Sequence, residues 1–436
     1  MTSQTKPNLQ QDLVGLRFDH PFVPSAGPNN DVGKSGQIDL LLRVFKNSGF
    51  PFVKTLGPED MPEKVPEFNM AEALIGREKF FYNSEISSVH PRSWWLNALK
   101  ELHEKHGFRK PIMSVGYSMG DIVELSEMFA PHLSAFELSA HHGNRKEYFA
   151  LVDKLKATGL PLFAKITPSF HSSQGVNNND EKEFEDCMLE LIEHDIDGFI
   201  AVNSIGPAYA LYAKGPLAGT PILGGEGWLS GSPIRPVGLS YVDRIARILE
   251  ARGEVERRPI IGVGGISKLR DALLYFAAGA TGIGICTAAV LEGPEIYIRL
   301  ANELSEFLAK NGYSDIVAFR RDMRHNPERR DALLKQKGMN WEKHGPKASW
   351  QELTAHVIWL KNPQDLPVEE VHPLRPVREV YRYEKIPTFS AEACVECKVC
   401  YAEDSCTRSA IHFEYSDPEH GRPAPTLTFD PDLCES

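Results

Sequence analysis

A chain of 436 residues with 42% hydrophobic and 25% charged residues can build a large core, which excludes a disordered or fibrous protein. Its formal net charge of -11 works against a general grip on a polyanion, so a small-molecule substrate is expected and nucleic acid is not. No apolar run reaches the roughly 18 residues of a membrane span, and the opening Met1-Thr-Ser-Gln-Thr-Lys-Pro7 lacks the pattern of a secretory signal, so the cytoplasm is the expected compartment and no membrane is expected as a partner.

Short β-branched or aromatic runs ending in small or polar residues recur at Phe22–Ser25, Phe52–Thr55, Ile112–Val115, Ala135–Leu138, Leu162–Ile166, Gly198–Val202, Ile260–Val263 and Gly282–Ile285. Between them, segments such as Pro91–His106, Glu147–Ala157 and Tyr241–Ala251 space apolar residues three and four apart, as helices packed on a sheet do. Repeated βα units predict an α/β protein whose parallel strands close into a (β/α)8 TIM barrel. An open doubly wound sheet would carry a glycine fingerprint after its first strand, and none stands there. The barrel is expected over residues 1–310, followed by a helical connecting arm over 311–387 that contains Trp341, Trp350 and Trp359. Within 319–337, Arg320, Arg321, Arg324, Arg329, Arg330, Lys335 and Lys337 alternate with Asp322, Glu328 and Asp331, which reads as a solvated helix face, the alternative being a docking surface for an acidic partner. Residues 388–436 form a compositionally distinct module with two strand-like runs, Ala410–Tyr415 and Thr426–Phe429, joined by the turn Asp417–Pro423.

Functional groups of a (β/α)8 barrel collect on the loops that follow its strands. Those loops begin here with Ser25, Ala26 and Gly27; Lys54 and Thr55; His141, His142 and Asn144; Lys165; Asn203 and Ser204; Gly264 and Gly265; and Thr287. The last two loops commonly bind phosphate through backbone N–H groups, although Gly-Val-Gly-Gly alone also describes a plain tight turn. A lysine at the end of an inner strand is costly unless it faces an anion, and Lys54 and Lys165 together with the phosphate loops point to a flavin, structural salt bridges being the alternative. An imidazole exchanges protons near neutral pH, which makes His142 the candidate proton-transfer group; capping a loop or binding a metal with His141 is the plainer reading. Five of the seven cysteines fall between Cys394 and Cys434, whereas Cys187 and Cys286 stand alone. Cys394-x-x-Cys397-x-x-Cys400 can wrap three thiolates around one cubane cluster, a zinc knuckle being the competing reading. Cys406 or Cys434 supplies the fourth ligand.

Taken together, Pro24-Ser-Ala-Gly27, Val53-Lys-Thr55, Val202-Asn-Ser-Ile-Gly206, Gly224-Gly-Glu-Gly-Trp-Leu-Ser-Gly231 with Ile234-Arg-Pro236, Ile261-Gly-Val-Gly-Gly-Ile266 and Cys286-Thr287 resemble the class 1 dihydroorotate dehydrogenase family, most closely its iron-sulfur subunits of bacterial NAD-dependent dihydropyrimidine dehydrogenase. The resemblance implies an FMN enzyme of the CH–CH oxidoreductase class. FMN would be held by Ser25, Ala26, Lys54, Lys165, Asn203, Ser204, Gly231, Gly264, Gly265 and Thr287, with Lys54 also counted catalytic. The substrate would meet Asn83, Ser139, Asn144 and Asn203. In Glu137-Leu-Ser-Ala-His-His-Gly-Asn144, His142 falls where the family keeps a cysteine or serine acid/base and Ser139 where it keeps an asparagine, so the substrate pocket is rebuilt. The C-terminal module is similar to a two-cluster ferredoxin domain stopped at its second motif, Asp430-Pro-Asp-Leu-Cys434, which implies one 4Fe-4S cluster, held by Cys394, Cys397, Cys400 and, as first choice, Cys406. A barrel flavin wired to such a cluster, with no second dinucleotide fingerprint, implies a separate flavoprotein or ferredoxin partner; a homo-oligomer is also expected. The competing functions are a non-catalytic electron-relay subunit and a metal-assisted barrel lyase or isomerase using His141 and His142.

Overall fold

The computed structural model describes residues 6–30, 38–57, 70–75, 78–83, 87–88, 90–116, 119–139, 145–168, 181–208, 227–335, 411–415 and 425–429. It divides into two compact units, one of Met1–Asn69, Ser84–Gly206 and Leu229–Lys343, the other of Met70–Asn83, Pro207–Trp228 and His344–Ser436.

The first unit holds eight parallel strands: β1 (Phe22–Pro24), β2 (Phe52–Leu56), β3 (Ile112–Val115), β4 (Ala135–Leu138), β5 (Leu162–Ile166), β6 (Gly198–Ala201), β7 (Ile260–Val263) and β8 (Gly282–Ile285). Their order is β1-β8-β7-β6-β5-β4-β3-β2, so β2 to β8 lie side by side in chain order and β8 returns to β1. The remaining seam, between β1 and β2, is drawn together by backbone bonds from Gly49 N to Phe22 O (2.8 Å) and from Asp19 N to Gly49 O (2.9 Å). Only glycine fits at that seam, because a Cβ on residue 49 would lie 1.8 Å from the His20 carbonyl oxygen. The result is the (β/α)8 barrel that the strand pattern predicts. Five strands have the predicted bounds, and the other three differ by one residue at one end.

The crossovers are α1 (Asp39–Asn47), α2 (Arg92–Glu104), α3 (Met119–Phe129), α4 (Arg145–Lys156), α5 (Glu181–Glu193), α6 (Arg235–Arg252) and α7 (Leu269–Ala278), with α8 (Thr287–Glu292) and α9 (Ile296–Lys310) after β8. Sequence sets their faces and ends. In α5, Phe184, Cys187, Met188, Leu191 and Ile192 form the buried stripe at helical spacing. In α6, Pro236 occupies the first turn and Gly253, at φ 68°, closes the last.

Side-chain parity along the strands divides the barrel interior. Val23, Phe52, Ile112, Ala135, Phe163, Ile200 and Ile261 form one apolar cluster. Two residues further on, β1 to β5 lead to Ser25, Lys54, Ser114, Glu137 and Lys165, all buried. The apolar floor is completed by an N-terminal hairpin of Gln11–Leu13 and Leu16–Phe18, which contributes Leu13 and Phe18. Phe18 stacks on Phe50 with ring centroids 4.7 Å apart. The segment before that hairpin is clasped to a distant one: Asn8 N donates to Ser314 O (2.8 Å) and Ile316 N to Asn8 O (3.1 Å).

After the barrel come α10 (Ile316–His325), capped by Asp315 through the Ala318 N–H (2.9 Å), and α11 (Pro327–Leu334). The basic run is not a simple solvated face. Phe319 and Met323 are buried, and Arg324 is 14% exposed, bonded to Asp243 (2.6 Å) and Glu250 (2.7 Å) of α6. A helix only ten residues long needs such docking, since propensity alone does not hold it.

In the second unit, Met70–Ile75 and Glu78–Asn83 form an antiparallel hairpin, with Met70 opposite Asn83. Gly227 is required there, because a Cβ on it would lie 2.5 Å from the Tyr82 ring. Ile411–Tyr415 and Pro425–Phe429 pair antiparallel, each within one residue of the strand-like runs expected at Ala410–Tyr415 and Thr426–Phe429. No described helix is long and apolar enough to cross a membrane.

Candidate active site

At the C-terminal ends of the strands, Lys54 on β2 is 2% exposed and Lys165 on β5 is 3% exposed. Lys165 Nζ donates to Glu137 Oε1 on β4 at 3.1 Å, and Glu137 is completely buried. The register of β2 against β3 shifts between Val53 and Leu56, and Thr55 shares a 2.8 Å hydrogen bond with Ser114. These strand ends are therefore polar, although the chain positions two residues earlier belong to the apolar floor.

The loops above them are fixed by their own hydrogen bonds. After β1, Ser25 is buried, its N–H donating to Ile285 O on β8 (3.0 Å), and Ala26 is half-buried. Gly27 N donates to Asn30 Oδ1 (2.9 Å), while Asn30 Nδ2 donates to Phe52 O (3.1 Å), which ties this loop to β2. After β4, Ser139 N donates to Val115 O (2.7 Å) and Ser139 Oγ accepts from Asn203 Nδ2 (3.4 Å). Asn203 in turn donates through its backbone to Ile166 O (2.8 Å) and accepts the Ser204 N–H (3.0 Å) on Oδ1. Ser139, Asn203 and Ser204, each singled out from sequence, are thus one connected group.

A second group surrounds the ends of β7 and β8. Gly231, Gly264 and Gly265 have φ of 99°, 124° and 67°, a region that disfavours any side chain. A Cβ on Gly265 would lie 2.7 Å from Ser232 Cα and 2.8 Å from Gly231 O, so the two loops pack backbone to backbone. Thr287 Oγ1 donates to Ser230 Oγ at 2.9 Å. Beneath them Tyr275 donates to Val263 O (3.0 Å) and Gly264 O (2.8 Å), and burial drives its phenol far above the ordinary range. Arg235 Nη1 bridges Gly265 O (3.0 Å) and Asp271 Oδ1 (2.7 Å), while Asp271 Oδ2 accepts the N–H groups of Ser267 and Lys268, both at 3.1 Å. With the Gly265 carbonyl and the next amides so engaged, the loop has one shape.

Sequence reasoning did not single out Glu137, Ser230, Ser232, Arg235, Tyr275 or Asp271 as site residues. Strand parity was the one signal for Glu137, which stands two residues beyond Ala135; the others hold loops rather than project from strand ends. Asn83 ends its strand in the second unit, where it is half-buried. His141, His142 and Asn144 lie outside the described residues, as do Cys394, Cys397, Cys400, Cys406 and Cys434. Among the described residues no three His, Cys, Asp or Glu are grouped to hold a metal. Cys187 is buried in α5, and burial pushes its thiol up to about 12.

Residues 118–308 match the family model of dihydroorotate dehydrogenase. Dihydroorotate dehydrogenase B (NAD(+)), catalytic subunit, of Pyrococcus horikoshii is 27% identical over 328 residues, covering 71% of this chain and 96% of the relative. The protein of the same name in Pyrococcus furiosus is 28% identical over 328 residues, with the same coverage. Dihydroorotate dehydrogenase (quinone) of a Synechococcus species is 26% identical over 340 residues, covering 69% of this chain and 80% of the relative. The chain is a flavin-dependent oxidoreductase of the class that acts on CH–CH groups. Within that class, residues 118–308 are similar to the dihydroorotate dehydrogenase family.

FMN is the cofactor of that family, and the mouth of this barrel suits it. Ser232 Oγ is buried with no hydrogen-bond partner among the described residues, beside the glycine loops where a phosphate would add an acceptor. The crowding at Gly265 keeps side chains off the backbone there. Buried ammonium groups at the ends of β2 and β5 suit an electron-poor ring that gains negative charge on reduction.

Proposed function

We propose that this chain uses FMN to reduce or form a C=C bond in a small cyclic substrate of the dihydropyrimidine type, exchanging its electrons through an iron-sulfur cluster with a separate protein. The observation that carries this reading is the polar mouth described above: two lysines at strand ends, with the glycine turns at Gly231 and Gly264–Gly265 at the same end, in a barrel whose other end is apolar. The rebuilt stretch Glu137–Asn144, with Ser139 and His142 in place of the family's asparagine and cysteine or serine, supports a substrate other than dihydroorotate. The cysteine module from Cys394 to Cys434 is what supports the iron-sulfur dihydropyrimidine dehydrogenase branch over the dihydroorotate dehydrogenase B catalytic subunits.

On this reading Gly231, Gly264, Gly265, Ser232 and Thr287 hold the phosphate, Ser25 and Ala26 line the ring, and Lys54 and Lys165 offset its charge. Bound FMN supplies a hydride acceptor or donor. Asn203 and Ser139 orient the substrate ring together with Asn144, and His142 gives or takes the proton on the neighbouring carbon. Closed apolar packing below the site limits water there, which strengthens the lysines' effect. Four thiolates, Cys394, Cys397, Cys400 and Cys406, make a donor set suited to a 4Fe-4S cubane. The domain division of 1–310, 311–387 and 388–436 assigns that cluster a module of its own. A flavoprotein or ferredoxin partner, a homo-oligomer and a cytoplasmic setting complete the proposal.

The test is anaerobic. Photoreduced protein is mixed with cyclic imides and other electron-poor cyclic alkenes, and flavin reoxidation is followed at its visible band. Reoxidation by such a compound is the expected result, slowed ~10²- to 10⁴-fold in His142→Ala, the range of a lost proton-transfer group. A colourless protein would remove the flavin, and undiminished reoxidation in His142→Ala would remove the role of that imidazole.

A further inference from the structure

Glu137 is unusual for a strand residue of a barrel core. It is wholly buried, it engages Lys165 through Oε1 at 3.1 Å, and Oε2 has no hydrogen-bond partner among the described residues. A buried ion pair seldom stabilises a fold better than apolar residues of the same volume, and an oxygen left without a donor makes this one dearer still. Stability therefore does not account for Glu137. Its position does, since it stands behind the lysine at the end of β5, on the floor side of the mouth.

We infer that Glu137 is a positioning residue that sets the reduction potential of the flavin through Lys165. The inference rests on the FMN reading above. The carboxylate fixes where the ammonium sits and cancels part of its field, so the ring gains less from becoming anionic than it would beside an unpaired lysine. A buried cation left whole would favour the reduced ring; the paired one holds the potential down, where electrons can leave for a one-electron carrier as well as arrive.

The experiment uses the full-length holoprotein and Glu137→Gln, which keeps the shape and an acceptor for Lys165 but removes the charge. Three quantities are read: FMN content after gel filtration, the two-electron midpoint potential, and sulfite affinity from bleaching of the visible band. Glu137→Gln is expected to retain FMN, bind sulfite about tenfold more tightly and raise the potential by about 30 mV, the same factor for a two-electron couple. In a Lys165→Met background the same change is expected to leave the potential where it was, because the ammonium whose field the carboxylate trims is gone. Unchanged potential and sulfite affinity in FMN-loaded Glu137→Gln would overturn the inference. A shift that persists in full in Lys165→Met would also overturn it, by showing that the carboxylate acts on the ring directly. If Glu137→Gln does not fold, Glu137→Asp decides the matter: it draws the charge back by one methylene and should raise the potential by less, and no change would count against the inference. Wild-type protein without FMN would instead defeat the cofactor reading, a failure that the first measurement separates from the others.

Discussion

At the scale of single residues, a pH dependence is built into His20. Its ring is buried just before β1; Nδ1 accepts the Phe22 N–H (3.3 Å), so Nε2 carries the proton and meets Asn47 O at 3.1 Å. Burial lowers its pKa from 6.5 to about 4, against the opposing pull of Asn47 O and Asp19. The folded protein keeps the ring neutral where the unfolded chain binds a proton. Stability is therefore full above pH 6.5 and is lost as the pH falls from there towards about 4. The loss reaches at most ~3 kcal/mol. Urea midpoints at pH 7 and pH 5 will show it, and His20→Gln, which preserves both hydrogen bonds, is expected to lose most of the difference. Legibility at this scale was uneven. The strand-end or turn placement of Lys54, Lys165, Asn203, Gly264 and Thr287 was legible because strand ends and glycine pairs announce themselves in a barrel. Glu137 in Ala-Phe-Glu-Leu and Asp271 in the first turn of α7 could not, because what distinguishes them is which lysine or arginine comes to meet them.

Among the elements, the barrel strands were legible because both their faces are covered, which leaves compact apolar runs bounded by polar residues. Two of the three hairpins among the described residues were not. Five of the six residues of Met70–Ile75 are Met, Ala, Glu or Leu, which favour helix, yet the segment pairs residue by residue with Glu78–Asn83, an example of tertiary pairing overriding local preference. The floor hairpin was hidden by strands of three residues each. Element α10 was misjudged for a different reason: an arginine facing water and one facing two carboxylates of another helix look alike in sequence. Its partners Asp243 and Glu250 are part-exposed, at 37% and 25%, which weakens the interaction by solvent screening. Arg324→Met is accordingly expected to cost about 1–3 kcal/mol, less than a fully buried pair would. Differential scanning calorimetry measures the loss, and a change no larger than that of exposed Arg247→Met would show that Arg324 does not dock the helix.

For the whole molecule, the proposal separates two redox centres by sequence, with FMN on the barrel and the cluster on the cysteine module. Cys397→Ser and Cys406→Ser are each expected to lose iron, by metal analysis and by the electron paramagnetic resonance signal of the dithionite-reduced protein, while FMN content stays at the wild-type level. Cys434→Ser is expected to keep its iron; loss there with retention in Cys406→Ser would reassign the fourth ligand. The clasp between Asn8 and the Ser314–Ile316 segment bears on how such a protein is made. A ribosome must deliver more than three hundred residues before the first few find their partners, and β1 waits almost as long for β8. Contacts so distant along the chain form slowly, so apolar surface of the nascent barrel stays open until they close. The same bonds should be among the earliest to open when the finished protein breathes.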